Sequence, residues 1–156
     1  MLQLAVASFM VTITVLIHLG GLSVLLELMV RRRRRPAGRN LFGQSSAIVF
    51  AAFALFALHS IEIWLYAFLY VLVHALGSFE DALYFSTATY STVGYGDLTL
   101  PRAWRLVGAI EGANGLLLLG WSTAFFVSIV DEIRKLESAA DRTQLPGEAE
   151  PAALRD

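Results

Sequence analysis

The chain contains no cysteine, so disulfides and thiolate metal sites are both excluded. It is also poor in charge, because 16% of its residues are charged, against about one quarter in an average soluble domain. Most of these charges lie at 31–35 and beyond Val130, and the net charge of -1 does not favour a nucleic-acid partner. The remainder is apolar, with 56% hydrophobic residues overall. This composition indicates a membrane protein.

Three apolar segments, 1–30, 47–76 and 103–131, are long enough to cross a membrane. A spanning helix needs about 20 residues, so each segment has length to spare for tilt. The first segment is not typical of a cleaved signal peptide, because no basic residue precedes it and its apolar run is too long. We therefore expect an all-α membrane protein with three transmembrane helices, the first retained and peripheral.

Arginine dominates the linker 31–46, which separates the first two helices. Loops rich in Lys and Arg stay cytoplasmic, which predicts a multi-pass protein of the cell (inner) membrane with the N-terminus outside and the C-terminus inside. The segment 132–156, rich in Ala, Glu, Pro and Gly, is predicted to be a largely disordered cytoplasmic tail. A voltage sensor aligns its charges on one helix face, whereas five consecutive arginines circle the helix. We interpret the run as a topology determinant that binds anionic lipid headgroups. Its members are Arg31, Arg32, Arg33, Arg34 and Arg35.

The segment between the second and third helices begins with a helix signal. Ser78 followed by Asp81 resembles a capping box, and Glu80 and Asp81 favour the positive end of a helix dipole. A helix at 79–91 is too short and too polar to span, so we predict a half-helix that enters the membrane from outside. Non-helical backbone at that depth is tolerated only where it is buried in protein or lines water.

Two glycines alternate with larger residues at 92–96. Glycine accepts a positive φ at little cost, and alternating handedness can turn successive carbonyl groups to one side. Four such strands around an axis would stack rings of oxygen in place of the hydration shell of a cation, with the Thr92 hydroxyl as the innermost ring. Because a lone strand would leave carbonyl groups facing lipid, we expect a homotetramer with fourfold symmetry.

The string from Thr92 to Asp97, placed between two spanning helices, resembles the pore domain of potassium channels, especially the small prokaryotic type with two helices and a pore loop. The resemblance covers 47–131 and implies passive, potassium-selective conduction. Thr-Val-Gly-Tyr-Gly is itself the known signature of potassium filters, so selectivity follows from the resemblance and not from the spacing. Potassium is expected as the permeant ligand of the first four filter residues, with no cofactor. The predicted filter residues are Thr92, Val93, Gly94, Tyr95 and Gly96.

Two aromatic residues on the half-helix often brace the filter in this family, and the corresponding residues are Tyr84 and Phe85. Tyr84 can hydrogen-bond to Asp97, whereas Phe85 has no donor to offer Tyr95. Ala88 stands where some members have a carboxylate behind the filter. Filter support is therefore assigned to Asp97, Tyr84 and Phe85, with the strength of the bracing and any slow inactivation left open.

The third spanning helix carries a glycine at the position of the inner-helix glycine of the family. Two interpretations remain open: a hinge that opens the pore, or close helix packing. Residues that follow at helical spacing form a stripe, which is expected to line the cavity and to act as a gate by dewetting. The predicted cavity and gate residues are Gly115, Leu116, Leu119, Thr123 and Val127.

Ionisable residues inside predicted spans are functional candidates. Glu27 is expected to meet the arginine run, and His59 and Glu62, spaced i,i+3, can satisfy one another. Conductance is predicted to depend on pH through Glu62 or Glu111, with His59 as a further candidate; the alternative is a protonated and inert glutamate. The residues singled out in the spans are His18, Glu27, His59, Glu62, Glu111 and Asn114.

The histidines are too dispersed in the sequence to predict a metal-ligand cluster, and no nucleophile–base set is visible, so we expect no enzymatic activity. Two alternatives to a channel are retained. One is the pore subunit of a potassium uptake transporter, although such chains usually carry four loops with degraded filters. The other is a non-conducting, channel-like membrane interaction protein.

Overall fold

A computed structural model of the chain describes residues 1–33 and 41–144, and their side chains at 1–31 and 45–135. These residues form helices and turns and contain no strand. The three longest helices are each long and apolar enough to cross a membrane, which confirms the all-helical fold and its three predicted spans. In chain order the helices are α1 (Leu2–Arg33), α2 (Leu41–Leu72), α3 (Phe79–Tyr90) and α4 (Arg105–Gln144).

Helices α1, α2 and α4 pack together through two apolar clusters at opposite ends of the bundle. The first cluster joins the C-terminal parts of α1 and α4 to the N-terminal half of α2, and the second joins the opposite ends of these helices to α3. The outward side of α1 is exposed, for example at Phe9 and Leu16. The first cluster includes Leu22, Leu25, Met29, Leu55, Leu58, Ile129 and Ile133, and the second includes Ala7, Met10, Tyr66, Tyr70, Ala82 and Val107.

Helix α2 ends at Leu72, four residues earlier than predicted for this span. His74 adopts a left-handed conformation with φ 52°. The amide of His74 donates to the carbonyl oxygen of Val71 at 3.0 Å, and the amide of Ala75 donates to that of Tyr70 at 2.8 Å. This pair of bonds is the Schellman motif, which usually has glycine in the left-handed position. Because a histidine occupies this position here, the end of the helix carries no glycine signal that could be recognised in the sequence.

Helix α3 begins as predicted. Ser78 is the N-cap residue with extended backbone, and its hydroxyl oxygen accepts a hydrogen bond of 3.0 Å from the amide of Asp81. Glu80 and Asp81 lie in the first turn, where the helix dipole favours negative charge. The helix ends at Tyr90, and the amide of Ser91 donates to the carbonyl oxygen of Thr87 at 3.1 Å.

Helix α4 continues to Gln144, well into the segment 132–156 that was predicted to be largely disordered. The reason lies in the sequence: no Pro or Gly occurs between Asp131 and Gln144, and the first proline after the span is Pro146. The rest of that predicted tail, 145–156, lies outside the described residues. The same holds for Arg34 and Arg35 of the proposed lipid-binding run.

Glu27 meets the arginine run, as expected. Its carboxylate accepts hydrogen bonds of 3.1 Å and 2.6 Å from Nε and Nη2 of Arg31, one helical turn further along α1. Both side chains are largely exposed, at 61% and 72%. An exposed ion pair of this kind contributes little to the stability of the fold, so it does no more than pair Glu27 with the arginine one turn away.

Candidate functional site

The backbone of residues 92–96 alternates in handedness. The φ angles of Thr92, Gly94 and Gly96 are 62°, 53° and 77°, and the residues between them stay outside the positive region. Left-handed backbone costs a residue with a Cβ about 1–2 kcal/mol, so Thr92 is strained. Strain of this kind persists only where the surrounding structure enforces it, and it is typical of ligand-binding segments.

This segment is tied back onto the end of α3. The amide of Thr92 donates to the carbonyl oxygen of Thr89 at 3.0 Å, and the amide of Gly94 donates to that of Ala88 at 2.9 Å. Two of the last carbonyl groups of α3, which have no partner inside the helix, are therefore satisfied by the segment that follows. The path of residues 92–94 is consequently set by α3.

The two large side chains of the segment are exposed in the single chain, Val93 at 54% and Tyr95 at 72%. The ring of Tyr95 stacks on that of Tyr84 of α3, with centroids 6.5 Å apart and planes 8° apart. Tyr95 therefore has an aromatic neighbour in Tyr84, and most of its surface is available to another molecule.

Tyr84 also carries the hydrogen bond that the sequence suggested. Its hydroxyl group donates to Oδ2 of Asp97 at 2.7 Å. This bond raises the pKa of Tyr84 and lowers the pKa of Asp97, because it stabilises the neutral phenol and the ionised carboxylate together. Both groups are exposed, so their interaction links α3 to the residue after the alternating segment without burying a charge.

Phe85 contacts a different part of the chain from its neighbour Tyr84. Its ring packs edge to face on Tyr70 of α2, with centroids 5.4 Å apart. A Cβ atom on Gly108 of α4 would lie 3.2 Å from Cζ of the same ring. Phe85 therefore belongs to the core between α2, α3 and α4, and its role as a support of residues 92–96 stays a prediction. The physical reason is that a ring without a donor gains most from apolar burial.

Gly115 of α4 lies against the end of α3. A Cβ atom at this position would lie 2.2 Å from the carbonyl oxygen of Tyr90, and Gly115 is buried. No side chain fits at that distance, so a glycine is needed here for the two backbones to approach. Of the two interpretations of Gly115, close packing now has a direct structural basis, and the hinge stays a prediction.

The predicted cavity stripe lies on one side of α4. Leu116 and Val127 are 59% and 54% exposed in the single chain, Thr123 is also exposed, and Leu119 is half-buried. Exposure of these side chains leaves their face free to line a shared space in an assembly. Their role as a gate stays a prediction.

Glu111 is completely buried beside α3. Its carboxyl group accepts a hydrogen bond of 2.5 Å from the hydroxyl of Tyr70 and lies 2.5 Å from the hydroxyl oxygen of Ser86. The Ser86 hydroxyl also lies 2.9 Å from the carbonyl oxygen of Ile63. Glu111 thus joins α4 to α2 and to the middle of α3.

Glu62 is the centre of a second buried cluster. Its Oε1 lies 3.0 Å from Nδ1 of His18, its Oε2 lies 3.3 Å from Nδ1 of His59, and the Tyr90 hydroxyl donates to Oε2. The two Nε2 atoms meet the hydroxyl oxygen of Ser122, at 3.3 Å from His18 and 3.0 Å from His59. The i,i+3 pairing of His59 with Glu62 is confirmed, whereas the conclusion that the histidines are too dispersed to cluster is wrong.

Sequence reasoning did not find the other members of this cluster. His18 lies 44 residues from Glu62 along the chain, and only the packing of α1 against α2 brings them together. Tyr90 and Ser122 come from α3 and α4 and carried no signal beyond being polar residues near apolar runs. The one usable signal was that His18, His59 and Glu62 all lie inside predicted spans, where an ionisable group needs a partner.

Asn114, the remaining polar residue of the spans, joins α4 to α1. Its Nδ2 atom donates to the hydroxyl oxygen of Thr14 at 2.8 Å and lies 3.4 Å from the hydroxyl oxygen of Tyr66. All three residues are buried, at no more than 3% exposure. A satisfied hydrogen bond between helices explains Asn114 without any further role.

Known proteins resemble this chain over its pore-like part. Residues 56–132, which contain most of α2, all of α3 and most of α4, match the family model described as an ion channel. The uncharacterized membrane protein YdjJ of Bacillus subtilis is 37% identical over 65 residues, which are 40% of this chain and 19% of that protein. The chain thus spans about a fifth of the length of this relative. No solved structure matches the chain. Apolar spanning helices and the family match together show that this membrane protein belongs, through residues 56–132, to the ion-channel family.

Proposed function

We propose that the chain is one subunit of a homotetrameric channel that conducts potassium passively through residues 92–96. The observation that carries the proposal is the alternating backbone, with positive φ at Thr92, Gly94 and Gly96. A backbone of this kind can direct its carbonyl groups to one side. Rings of such oxygens replace the hydration shell of potassium in channels that carry Thr-Val-Gly-Tyr-Gly.

The position of α3 supports a cation at this place. The helix ends at Tyr90, immediately before the alternating segment, and has no basic residue in its last turn. The C-terminal end of a helix carries a partial negative charge. Four copies of this end around an axis would favour a cation below the carbonyl rings.

The exposed surface supports assembly around that axis. Tyr95 on the segment and Leu116, Leu117 and Val127 on α4 are between 54% and 72% exposed in the single chain. Lipid can cover apolar side chains but gives no hydrogen bond to unpaired carbonyl groups, so the segment needs protein or water beside it. A closed ring of four subunits supplies both, with the α4 stripe lining the water-filled space.

The arrangement of charge supports a topology for the proposed channel. Arg31 lies two residues after Met29, and Arg134 lies directly after Ile133. Met29 and Ile133 both belong to the apolar cluster at the end of the bundle away from α3. Basic residues mark the cytoplasmic side. The C-terminus is therefore assigned to the cytoplasm, and the N-terminus and the end of the bundle with α3 to the outside of the cell membrane.

Potassium flux into liposomes tests this function. Purified protein reconstituted in lipid is expected to pass potassium and not sodium, with block by barium and without ATP or a coupling ion. Gly94→Ala places a Cβ on a residue with φ 53° and is expected to abolish the flux. Gly77→Ala is the matched control, because a Cβ there meets nothing within 4 Å, and it should conduct like the wild type.

The same assay separates the alternatives. A flux that depends on ATP or on a second ion would indicate a transporter subunit. Wild-type protein that forms tetramers in lipid and passes no ion would indicate a non-conducting interaction protein. A stable monomer in lipid would contradict the proposal at its first step.

A further inference from the structure

Two nitrogen atoms and a carboxylate converge inside the bundle. Nδ1 of His18 and Nδ1 of His59 lie at 3.0 Å and 3.3 Å from the two oxygens of Glu62. The three side chains are buried, and each offers a ligand atom within 4.8 Å of the other two. We propose that His18, His59 and Glu62 bind one divalent transition-metal ion per chain, of the class that zinc represents.

The distances suit a tetrahedral ion. Zinc binds imidazole nitrogen and carboxylate oxygen at about 2.0–2.2 Å, which sets neighbouring ligand atoms about 3.3 Å apart. The observed separations between the histidine nitrogens and the Glu62 oxygens, 3.0 Å and 3.3 Å, are close to that value. Small shifts of the side chains would be enough to fit the ion. Two imidazoles and one carboxylate favour zinc and neighbouring transition metals over magnesium or calcium, which prefer oxygen ligands.

The hydroxyl of Ser122 gives an independent reason to expect a metal ion at these two histidines. Its oxygen lies 3.3 Å from Nε2 of His18 and 3.0 Å from Nε2 of His59. A hydroxyl has one proton and two acceptor sites. When both Nδ1 atoms ligate a metal, both Nε2 atoms carry protons, and the Ser122 oxygen can accept from both. Such a second hydrogen bond orients metal-ligating histidines in proteins generally.

Further groups complete the surroundings. The hydroxyl oxygen of Tyr90 lies 3.0 Å from Nδ1 of His59 and is hydrogen-bonded to Glu62, so it lies close enough to serve as a fourth ligand atom. The centroid of the Trp121 ring lies 5.5 Å from that of His18. The proposed site therefore has three ligands, a fourth polar atom and an aromatic neighbour.

A cavity between α2 and α4 borders the proposed site. It has a volume of about 240 Å³ and is lined by His59 and Ser122, by Leu119 and Thr123 of the α4 stripe, and by Leu55 of the first apolar cluster. His59 and Ser122 belong to the proposed site, and Leu119 and Thr123 lie on the face expected to line the shared space of the assembly. The proposed site is therefore bordered by open space on the side of α4.

A metal ion bound at this site would connect all four helices. His18 lies on α1, His59 and Glu62 on α2, Tyr90 at the end of α3 and Ser122 on α4. A bound ion should therefore stabilise the contact of α1 with the rest of the bundle. The inference does not depend on potassium selectivity, because it concerns side chains away from residues 92–96.

The direct test is metal binding by the full chain, purified in lipid nanodiscs without a polyhistidine tag and stripped with a chelator. Titration with Zn²⁺ is expected to end at one ion per chain and to raise the midpoint of thermal unfolding. Co²⁺ in place of Zn²⁺ should give the strong visible absorption of a tetrahedral site. Absence of binding, or weak absorption typical of a hydrated octahedral ion, would overturn the proposal on the wild type alone.

Variants locate the ion. His18→Gln, His59→Gln and Glu62→Gln are each expected to lose the bound zinc and the rise in the midpoint. His74→Asn is the matched control, since it removes the third histidine, which lies in the turn after α2, and asparagine tolerates the left-handed backbone there. Ser122→Ala should keep one ion per chain with an affinity about 10- to 100-fold lower.

Two results with the variants would contradict the assignment. One is zinc binding by His18→Gln and Glu62→Gln with the wild-type affinity and stoichiometry. The other is loss of zinc in His74→Asn, which would place the ion outside the bundle. Either result leaves the potassium-channel proposal intact, because that proposal is tested by flux and not by metal content.

Discussion

The carbonyl oxygen of Tyr90 occupies the space that a side chain at Gly115 would need, 2.2 Å from the position of its Cβ atom. Gly115→Ala is therefore expected to destabilise the protein by about 1–3 kcal/mol, the usual cost of overpacking a close contact. Since the displaced group is the last residue of α3, the variant should also reduce conduction. Unfolding in detergent and flux in liposomes measure the two effects.

Gly120→Ala is the control for this substitution. It lies on the same helix, and a Cβ atom there meets nothing within 4 Å in the chain. Alanine favours the helix more than glycine does, so Gly120→Ala should be at least as stable as the wild type. Equal stability of the two variants would contradict the close approach of α3 and α4.

Tyr84 is expected to hold Asp97 in place beside residues 92–96. Tyr84→Phe removes the donor of the 2.7 Å hydrogen bond and should make potassium current decline faster during sustained activity. The fold should be unaffected, because both groups are exposed. A double-mutant cycle with Asp97→Ala measures the coupling: the double variant should decline no faster than either single variant. Independent, additive effects would show that the two residues do not act through this bond.

The pH dependence of this pair follows from its two shifts. The hydrogen bond lowers the pKa of Asp97 and raises the pKa of Tyr84. The interaction is therefore lost on acidification through the lowered pKa of Asp97, and on alkalinisation through the raised pKa of Tyr84. Between about pH 5 and about pH 9 both groups keep their bonded forms. The ratio between the rates of current decline in wild type and Tyr84→Phe should be constant over this range, and a transition of this ratio within it would be inconsistent with the assignment.

Glu111 is expected to need a hydrogen-bonding side chain and not a charge for its structural role. The Ser86 hydroxyl has one proton for two acceptors, Glu111 and the carbonyl oxygen of Ile63. A glutamine can donate to Ser86 and accept from Tyr70, so Glu111→Gln should fold normally. Glu111→Ala leaves buried hydroxyl groups without this partner and should cost about 1–3 kcal/mol. Thermal unfolding measures the stability of the two variants. Equal losses of stability in Glu111→Gln and Glu111→Ala would argue against this network.

Glu111→Gln also tests the predicted pH sensing, because it removes a titratable group while keeping its size. Conductance of the wild type is expected to vary with pH in a way that this variant does not share. Identical pH curves for the two proteins would exclude Glu111 as the sensor.

The sequence predicted the elements that depend on local pattern. Apolar runs gave the three spans, and Ser78 with Asp81 gave the start of α3, because the length of a span and the cap of a helix are encoded in neighbouring residues. The end of α2 was missed because His74 takes the left-handed position usually held by glycine. Helix α4 was predicted too short because loss of apolar character was interpreted as loss of the helix.

The buried polar contacts show what local pattern does not carry. The pairing of His59 with Glu62 follows from i,i+3 spacing and was predicted, whereas that of His18 with Glu62 depends on how α1 packs on α2. The opposite directions of Tyr84 and Phe85, adjacent in sequence, depend likewise on which neighbour each ring meets. Both relationships are set by contacts between different segments of the chain, which a local pattern does not encode.

The reversal potential of single channels, recorded with potassium on one side and sodium on the other, tests the central claim most directly. Wild-type protein in a planar bilayer should reverse close to the equilibrium potential of potassium. Currents that reverse near zero under the same gradient would show that the alternating backbone at Thr92, Gly94 and Gly96 does not select potassium.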